Sequence, residues 1–295
     1  MLFRPFSRRR PDTADKRRGK RAVACAGVLL ASATTLISIG ALHSAPAEAA
    51  VASTTPATAP TPSPAPVQRH AKPRVTSAVL SRDGTGREPT VHGDDAPYDT
   101  ASIVKVDILA TALLQAQDSG RKLTPQEVTH AEAMIRQSDN DSATALWQQI
   151  GQAPGLEAAN KRLGMATTKG GPGLLWGLTQ TTARDQIRLL RAVFDTGSKA
   201  LNEDSREYIR TLMTRIEDDQ AWGVSAATKS GWALKNGWLQ RTATGLWDVN
   251  SIGQITVDGH RYLVAVLSNG SPSMKDGITL VEGEARSAVH SAATR

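Results

Sequence analysis

Cysteine is almost absent from this 295-residue chain, in which Cys25 is the single example. Cys25 lies inside an apolar stretch near the N-terminus, so the rest of the chain has neither a disulfide nor a thiol nucleophile. Histidine is also scarce, and the six histidines show no paired spacing of the kind that metal ligands have. The sequence therefore predicts an enzyme or binding domain without a metal and without a cofactor.

The first 49 residues have the three parts of a secretory signal. A basic segment over residues 1–21 is followed by an apolar stretch from Ala22 to Leu42, and Ala47–Glu48–Ala49 is a small-x-small cleavage pattern. The apolar stretch is long enough for an uncleaved membrane anchor, but its Ala, Ser and Thr content and the cleavage pattern favour cleavage. We expect an exported protein, secreted or associated with the cell wall, that contacts a membrane only through an uncleaved signal segment.

The net charge of +7 belongs mainly to this signal. Residues 1–49 hold 9 of the 35 basic and 3 of the 28 acidic residues, which leaves 26 basic and 25 acidic residues, a net charge of +1, for the remainder. A chain that is nearly neutral after export lacks the basic surface of a nucleic-acid-binding protein. We therefore expect no nucleic-acid partner.

The remaining sequence divides into a linker and one folded domain. Residues 50–74 are rich in Pro, Ala and Thr and lack apolar periodicity, which predicts an extended linker. Residues 75–295 begin with two short strand patterns, continue with several helical patterns and end with an alternating meander and a last helix. This order predicts an α+β fold, with an antiparallel sheet flanked by helices and completed by the N-terminal strands. We expect the domain to be a monomer.

Ser102 and Lys105 are the first candidate catalytic pair. They stand three residues apart at the start of an apolar helical pattern, so the lysine amine can lie against the serine hydroxyl. The helix N-terminus favours a developing alkoxide, and a partly buried lysine with a lowered pKa could accept the serine proton. The same spacing recurs at Ser119–Lys122, and the spacing alone does not distinguish the two pairs.

Two further polar segments interrupt the secondary-structure patterns. Ser138–Asn140 separates two predicted helices, and its alternative interpretation is a helix stop with Asp139 or Asp141 as the N-cap of the next helix. Lys235–Gly237 lies inside a strand pattern, where lysine and glycine are both poor choices. It is either an exposed edge strand with a charged residue or a cation facing a groove, with Gly237 letting a ligand approach the backbone.

Taken in this order, the three segments resemble the S-x-x-K, S-D-N and K-T-G motifs of the penicillin-recognising serine hydrolases. This superfamily contains the class A β-lactamases and the D-alanyl-D-alanine peptidases, and the resemblance covers roughly residues 75–295 and is strongest for class A. It implies a β-lactamase/transpeptidase-like fold and an acyl-enzyme formed with a β-lactam or with a peptidoglycan stem peptide. It also implies that Ser102 is the nucleophile and that the pair beginning at Ser119 is not catalytic.

The resemblance further implies a role for each residue of the three segments. Lys105 would be the base, Ser138 would relay a proton to the leaving nitrogen, and Asn140 would orient Lys105 and the substrate amide. Lys235 would supply positive potential for the substrate carboxylate, with Asn236 as a nearby donor. The backbone N–H groups of Ser102 and Trp238 would hold the oxyanion. Trp238 is expected in the cleft wall, and four other tryptophans are expected in the core: Trp176, Trp222, Trp232 and Trp247.

One element of class A β-lactamases is missing. Their loop glutamate, in an E-x-x-L-N context, activates the water that hydrolyses the acyl-enzyme, whereas residues 167–182 of this chain contain no acidic residue. Acylation is expected to be intact and deacylation slow. Three functions stay open: a slow β-lactamase, a penicillin-binding D-alanyl-D-alanine peptidase, and a β-lactam or cell-wall binding or sensing domain without turnover.

Overall fold

The computed structural model describes residues 72–83 and 88–294. The predicted signal over residues 1–49 and the linker up to residue 71 lie outside the described residues. The first strand begins at Arg74, the last residue of the predicted linker. Within the described residues, no helix combines the length and the apolar character that crossing a membrane requires.

A five-stranded antiparallel sheet forms the centre of the fold. Its spatial order is β2-β1-β7-β6-β5, so the N-terminal strands extend the C-terminal meander, as the sequence predicts. A second, two-stranded sheet pairs β3 with β4. The strands are β1 Arg74–Ser81, β2 Thr90–His92, β3 Tyr98–Asp99, β4 Gln180–Thr181, β5 Trp232–Gln240, β6 Trp247–Val257 and β7 His260–Ser271.

Helices cover both faces of the large sheet. The α-helices of the described residues are α1 Val104–Asp118, α2 Pro125–Arg136, α3 Asn140–Gln149, α4 Gln152–Leu163, α5 Ala183–Phe194, α6 Glu203–Met213 and α7 Met274–Ala293. Buried residues of α1 to α6 pack with Leu263, Ala265 and Leu267 of β7 on one face. Buried residues of α7 pack with Val264 and Val266 on the other. This arrangement confirms the predicted α+β fold.

The continuous apolar run of β7 follows from this two-sided packing. Successive side chains of a strand point to opposite faces, so a strand that is covered on both sides needs apolar residues at every position. A strand with one face in water would alternate instead. The same reasoning explains the short apolar run of β1, where Ala78 and Leu80 face one layer and Val79 faces the other.

Local capping signals fix most helix starts. Thr124 and Glu127 form the predicted capping box of α2, which ends at Arg136 as expected. Thr182 caps α5 by accepting a hydrogen bond from the Asp185 backbone nitrogen. The helix α6 was not predicted, although its N-cap Asn202 gives a recognisable start signal.

Candidate active site

Ser102 lies where a short 3-10 helix, Ala101–Ile103, leads directly into α1. The residue before it, Ala101, has a φ of 46°, which is the left-handed region that residues with a Cβ rarely adopt. Such strain persists only where the surrounding structure imposes it, and it is concentrated at functional sites. Ser102 is partly exposed and lines an open groove, so its hydroxyl is accessible to a ligand.

Lys105 is buried one turn further along and is surrounded by oxygen atoms. Its Nζ donates to the Ser138 carbonyl oxygen at 2.6 Å, to the Ser138 Oγ at 3.1 Å and to the Asn140 Oδ1 at 2.8 Å. Burial lowers the pKa of Lys105 to about 7, against an opposing effect of the Asp139 carboxylate. A substantial fraction of this amine is therefore neutral near pH 7 and can act as a base.

The Ser102 hydroxyl and the Lys105 amine are not hydrogen-bonded to each other. Although both groups are fully described, no hydrogen bond joins the Ser102 hydroxyl to the Lys105 amine, which points to Ser138 and Asn140 instead. The spacing of three residues places the two side chains on one face of the helix, but competing oxygen atoms decide where the amine points. Catalytic hydrogen bonds are often long without a ligand and shorten in the reacting complex.

Ser138 joins the three predicted segments. Its hydroxyl accepts a hydrogen bond from Lys105 at 3.1 Å and another from Lys235 Nζ at 3.0 Å, and its own φ is 57°. A hydroxyl that accepts two hydrogen bonds keeps its own proton for donation. The alternative interpretation of this segment also holds, because Asp139 caps α3 by accepting from the Ser142 backbone nitrogen at 2.7 Å. One segment therefore both starts a helix and supplies polar groups to the site.

Lys235 lies on β5 and its side chain is fully buried. Its Nζ donates to Ser138 Oγ and, at 2.9 Å, to the Asn236 carbonyl oxygen. Burial lowers the pKa of Lys235 well below its ordinary value, and the nearby Lys105 amine lowers it further. An anionic group that entered beside these two amines would favour their protonated forms.

The prediction that Asn236 donates to a substrate is corrected by its position. Its side chain lies on the opposite face of β5 from Lys235, where its amide nitrogen donates to the carbonyl oxygens of Gln220 at 2.7 Å and Trp222 at 2.9 Å. Both N–H groups of the Asn236 amide therefore donate to the protein on the face of β5 that is turned away from Lys235. Alternation along a strand dictates this result, because consecutive side chains cannot face the same groove. Gly237 instead packs against the backbone that carries Ser102.

The groove itself has a volume of about 560 Å³ and is lined by four segments of the chain. Ser102 and the pair Ser138 and Asn140 form its polar base, the segment 174–178 forms one wall and the end of β5 forms the other. Trp238 lines the groove, as expected. None of the described residues that line it is acidic. The cluster of Lys105, Ser138 and Lys235 therefore meets Ser102 at a cleft that can hold a small ligand.

Trp176 corrects another prediction, because it lines the groove and is not a core residue. Its ring centre lies 4.9 Å from Lys105 Nζ, close enough for a cation–π contact, and its Nε1 donates to Thr144 Oγ1 at 3.1 Å. Beside it, Leu174 and Leu175 are 50% and 56% exposed, which makes an apolar rim. Only the structure identifies this wall, because the sequence does not show that the leucines beside Trp176 are exposed.

Arg241 was also missed by sequence reasoning. It lines the groove just beyond β5 and forms ion pairs with the buried carboxylates of Asp99 and Asp248. Its side chain is 39% exposed, and the two carboxylates balance its positive charge. The pattern around Arg241 gives no indication of this role, since Asp99 lies more than a hundred positions away. Among the described residues, no group of three or more His, Cys, Asp or Glu side chains could hold a metal ion.

Comparison with known proteins agrees with this geometry. The model of a family described as the Beta-lactamase enzyme family matches residues 127–292, which is more than half of the chain. No curated protein shows a significant sequence match. The TLA-3 extended-spectrum beta-lactamase has a TM-score of 0.65 and 15% identity, covering 77% of this chain and 95% of its own. PBP-A has a TM-score of 0.63 and 20% identity, covering 77% of this chain and 92% of its own.

A mutant of PBP-A, solved as an acyl-enzyme complex with penicillin G, has a TM-score of 0.62 and 20% identity, covering 76% of this chain and 91% of its own. At these identities the structures establish a common fold. The family match includes Ser138, Asn140 and Lys235 and begins after Ser102 and Lys105. With its fold and its matched span taken together, the chain belongs to the beta-lactamase enzyme family.

Proposed function

We propose that this protein is an active-site-serine hydrolase in which Ser102 forms an acyl-enzyme with β-lactams. The observation that carries the proposal is the position of the Ser138 hydroxyl, which accepts hydrogen bonds from both Lys105 at 3.1 Å and Lys235 at 3.0 Å. Three segments far apart in the sequence meet there, beside an accessible serine at the base of a groove. Burying two amines costs folding free energy, and buried groups with strongly perturbed pKa values are concentrated at functional sites.

The groups of the cluster suit each step of acylation. The Ser102 oxygen attacks the lactam carbonyl carbon while its proton passes to the neutral Lys105 amine. As the lactam C–N bond breaks, the Ser138 hydroxyl gives its proton to the leaving nitrogen and takes a proton from the adjacent lysine. The product is an ester on Ser102 and an open ring whose nitrogen carries the new N–H.

Charge at the site suits a ligand that carries a carboxylate. Both amines donate to the Ser138 hydroxyl at the base of the groove, where a bound carboxylate would favour their protonated forms. No acidic residue among the described lining would repel an anion. Both β-lactams and stem peptides that end in D-alanine have a carboxylate close to the carbonyl that reacts.

Among the described residues that line the groove, no acidic side chain is available to activate water for deacylation. The wall segment 174–178 presents leucines and Trp176 where an acidic side chain would be needed, and the Trp176 ring lies against Lys105. Hydrolysis of an ester requires a base within reach of the attacking water. The proposal is therefore rapid acylation followed by slow release of the opened ligand.

A second candidate function is that of a penicillin-binding D-alanyl-D-alanine peptidase acting on cell-wall stem peptides. The acylating cluster is the same in both cases, and the lack of an acidic residue in the groove favours the peptidase or a sensing domain that acylates once. The export signal predicted over residues 1–49 supports a function outside the cell in either case.

A burst experiment with a chromogenic cephalosporin separates these functions. A burst of about one equivalent per protein, followed by a slow steady rate, is the expected result. Sustained rapid turnover would contradict slow deacylation, and a complete stall after the burst would favour the peptidase or the sensing domain. If there is no burst and Ser102 is not labelled by a fluorescent penicillin, the acylation proposal is wrong.

A further inference from the structure

A second cleft, with a volume of about 710 Å³, is lined by residues that take no part in the catalytic groove. Its basic side chains come from five separate parts of the fold: Arg82, Arg162, Arg188, Arg191, Lys199 and Arg261. Asp195 is the one acidic residue among the described residues that line it. Nothing in the acylation chemistry uses this cleft.

The positive charge of this cleft does not simply reflect the net charge of the domain. Residues 50–295 contain 26 basic and 25 acidic residues, so six cations in one cleft are a local concentration. Five of the six cations, all except Lys199, are paired with four carboxylates, those of Asp83, Asp118, Asp185 and Asp195. Six positive charges against four negative charges leave a net charge of +2.

Two of these cations, Arg82 and Arg191, are held in position by hydrogen bonds to other groups of the protein. Asp195 accepts from Arg82 at 3.3 Å and from Arg191 at 3.0 Å, and Arg82 also donates to the Phe194 carbonyl oxygen. The Arg82 side chain is only 12% exposed. Pairing of this kind fixes the direction of a guanidinium and reduces the entropy that is lost when a ligand binds.

Other cations of the cleft keep donors for a ligand. Arg188 uses one nitrogen on Asp185 and is 41% exposed, and Arg261 is 52% exposed with a single long contact to Asp83. The Lys199 side chain is exposed and forms no hydrogen bond or ion pair with another described residue. Donors from three different segments thus remain available at one cleft.

We propose that this cleft binds a ligand that carries two or more phosphate groups. Guanidinium groups recognise phosphate through paired N–H···O hydrogen bonds, and several of them together suit a multiply charged anion better than a single carboxylate. The same chemistry is offered by a soluble oligophosphate and by the phosphate headgroups of an anionic bilayer. Binding of either is independent of acylation at Ser102.

The test is calorimetric titration of the full chain with inorganic tripolyphosphate. A variant that combines Arg188→Gln, Lys199→Gln and Arg261→Gln should bind at least about tenfold more weakly, since each charge-assisted hydrogen bond contributes more than about 1.4 kcal/mol. The matched control changes three exposed cations outside the cleft, Arg215→Gln, Lys229→Gln and Lys275→Gln, and should bind like the parent protein. This comparison separates the cleft from the basic residues 1–21, which are the same in every variant.

A second arm identifies the source of the phosphate. The parent protein and the triple variant are each co-sedimented with phosphatidylglycerol vesicles and, for comparison, with phosphatidylcholine vesicles. If a bilayer is the ligand, the parent protein should bind the phosphatidylglycerol vesicles and the triple variant should bind them at least about tenfold more weakly. If only tripolyphosphate binds, the ligand is a soluble phosphate. If the triple variant does not fold, the single change Lys199→Gln, in an exposed loop, should still weaken binding. Equal binding by the cleft variants and the control variants in both arms would overturn the proposal.

Discussion

Gly237 and Ser102 are in direct backbone contact. A Cβ at position 237 would lie 2.6 Å from the Ser102 backbone nitrogen, 2.8 Å from the Ile103 nitrogen and 2.9 Å from the Thr100 carbonyl oxygen. Only a residue without a side chain lets β5 approach the start of the serine helix this closely. The contact holds Ser102, the proposed nucleophile, beside an edge strand, and we expect the oxyanion site to be formed there by the backbone N–H groups of Ser102 and Trp238.

We expect Gly237→Ala to separate these two elements. The added methyl group meets backbone atoms that cannot rotate away, so the melting temperature should fall and acylation by a fluorescent penicillin should slow by about tenfold or more. The control is Gly283→Ala in α7, where an added Cβ meets no atom within 4 Å and should raise stability by about 0.5–1 kcal/mol. Normal acylation by the Gly237 variant would show that the close approach has no catalytic role.

The two serine–lysine pairs give a test of the nucleophile. Ser102→Ala should abolish covalent labelling by a fluorescent penicillin, because the proposal assigns the other hydroxyl at the base of the groove, that of Ser138, to proton transfer and not to attack. Ser119→Ala should leave labelling unchanged, since Ser119 is the C-cap of α1 and its hydroxyl donates to the Gln115 carbonyl oxygen at 2.9 Å. Gel fluorescence with mass spectrometry of the labelled peptide measures both. Loss of labelling in the Ser119 variant alone would reverse the assignment.

The rate of acylation should depend on pH through Lys105. Burial lowers the pKa of this amine to about 7, and only the neutral form can accept the Ser102 proton. The second-order rate of acylation should therefore rise as the pH increases through about 7 and level off above it. Stopped-flow measurements across this range provide the profile. Lys105→Arg should remove the acylation, and a rate in the parent protein that falls between pH 6 and pH 8 would exclude a neutral lysine base.

The wall residue Trp176 should control how long the ester persists. Trp176→Glu introduces a carboxylate into the groove near Lys105, where it can activate water, and release of the opened ligand should accelerate by about tenfold or more. Trp176→Phe keeps an apolar ring and should leave release slow. Steady-state turnover after the burst is the measurement. An ester equally stable in all three proteins would show that this wall does not determine deacylation.

Stability should depend on pH through Asp107, a buried carboxyl of α1. Its Oδ2 accepts from Asn160 Nδ2 at 3.0 Å, whereas Asp107 Oδ1 and Asn160 Oδ1 have no partner among the described residues. Burial raises the pKa of Asp107 from 3.8 to about 7. A proton on Oδ1 would supply the donor that the pair lacks.

Because the folded pKa is the higher one, the contribution of Asp107 to stability is complete below pH 3.8 and is lost as the pH rises through about 7. The gap between these values corresponds to at most about 4 kcal/mol. Asp107→Asn should preserve the pair with Asn160 and flatten the dependence of unfolding free energy on pH between about 4 and 7, measured by denaturant titration. An unchanged slope in this variant would show that Asp107 does not titrate in that range.

Sequence patterns were sufficient for the layers of the fold. Helical periodicity, the Thr124 capping box and the alternating C-terminal strands depend on local geometry, so the α+β arrangement and the edges of most elements could be predicted. The helix α6 could also have been found from Asn202, which precedes an amphipathic segment. These features depend on residues a few positions apart.

The directions in which the site side chains point could be predicted only in part. The i, i+3 spacing placed Ser102 and Lys105 on one face, but oxygen atoms supplied by Ser138 and Asn140 determine where the amine points. Strand alternation alone should have separated Asn236 from Lys235, and that information was available in the sequence. The groove position of Trp176 depends on which loop reaches the amine, which no local pattern contains.

By itself, the sequence determined which chemical groups are present and that they occur in three ordered segments. The tertiary structure alone decided that Lys105 and Lys235 share one hydroxyl, that the wall beside them is apolar, and that six cations face a separate cleft. The physical reason is that hydrogen bonding and desolvation depend on distances of a few ångströms between segments far apart in the chain. Periodicity fixes the face of an element, and only packing fixes its neighbours.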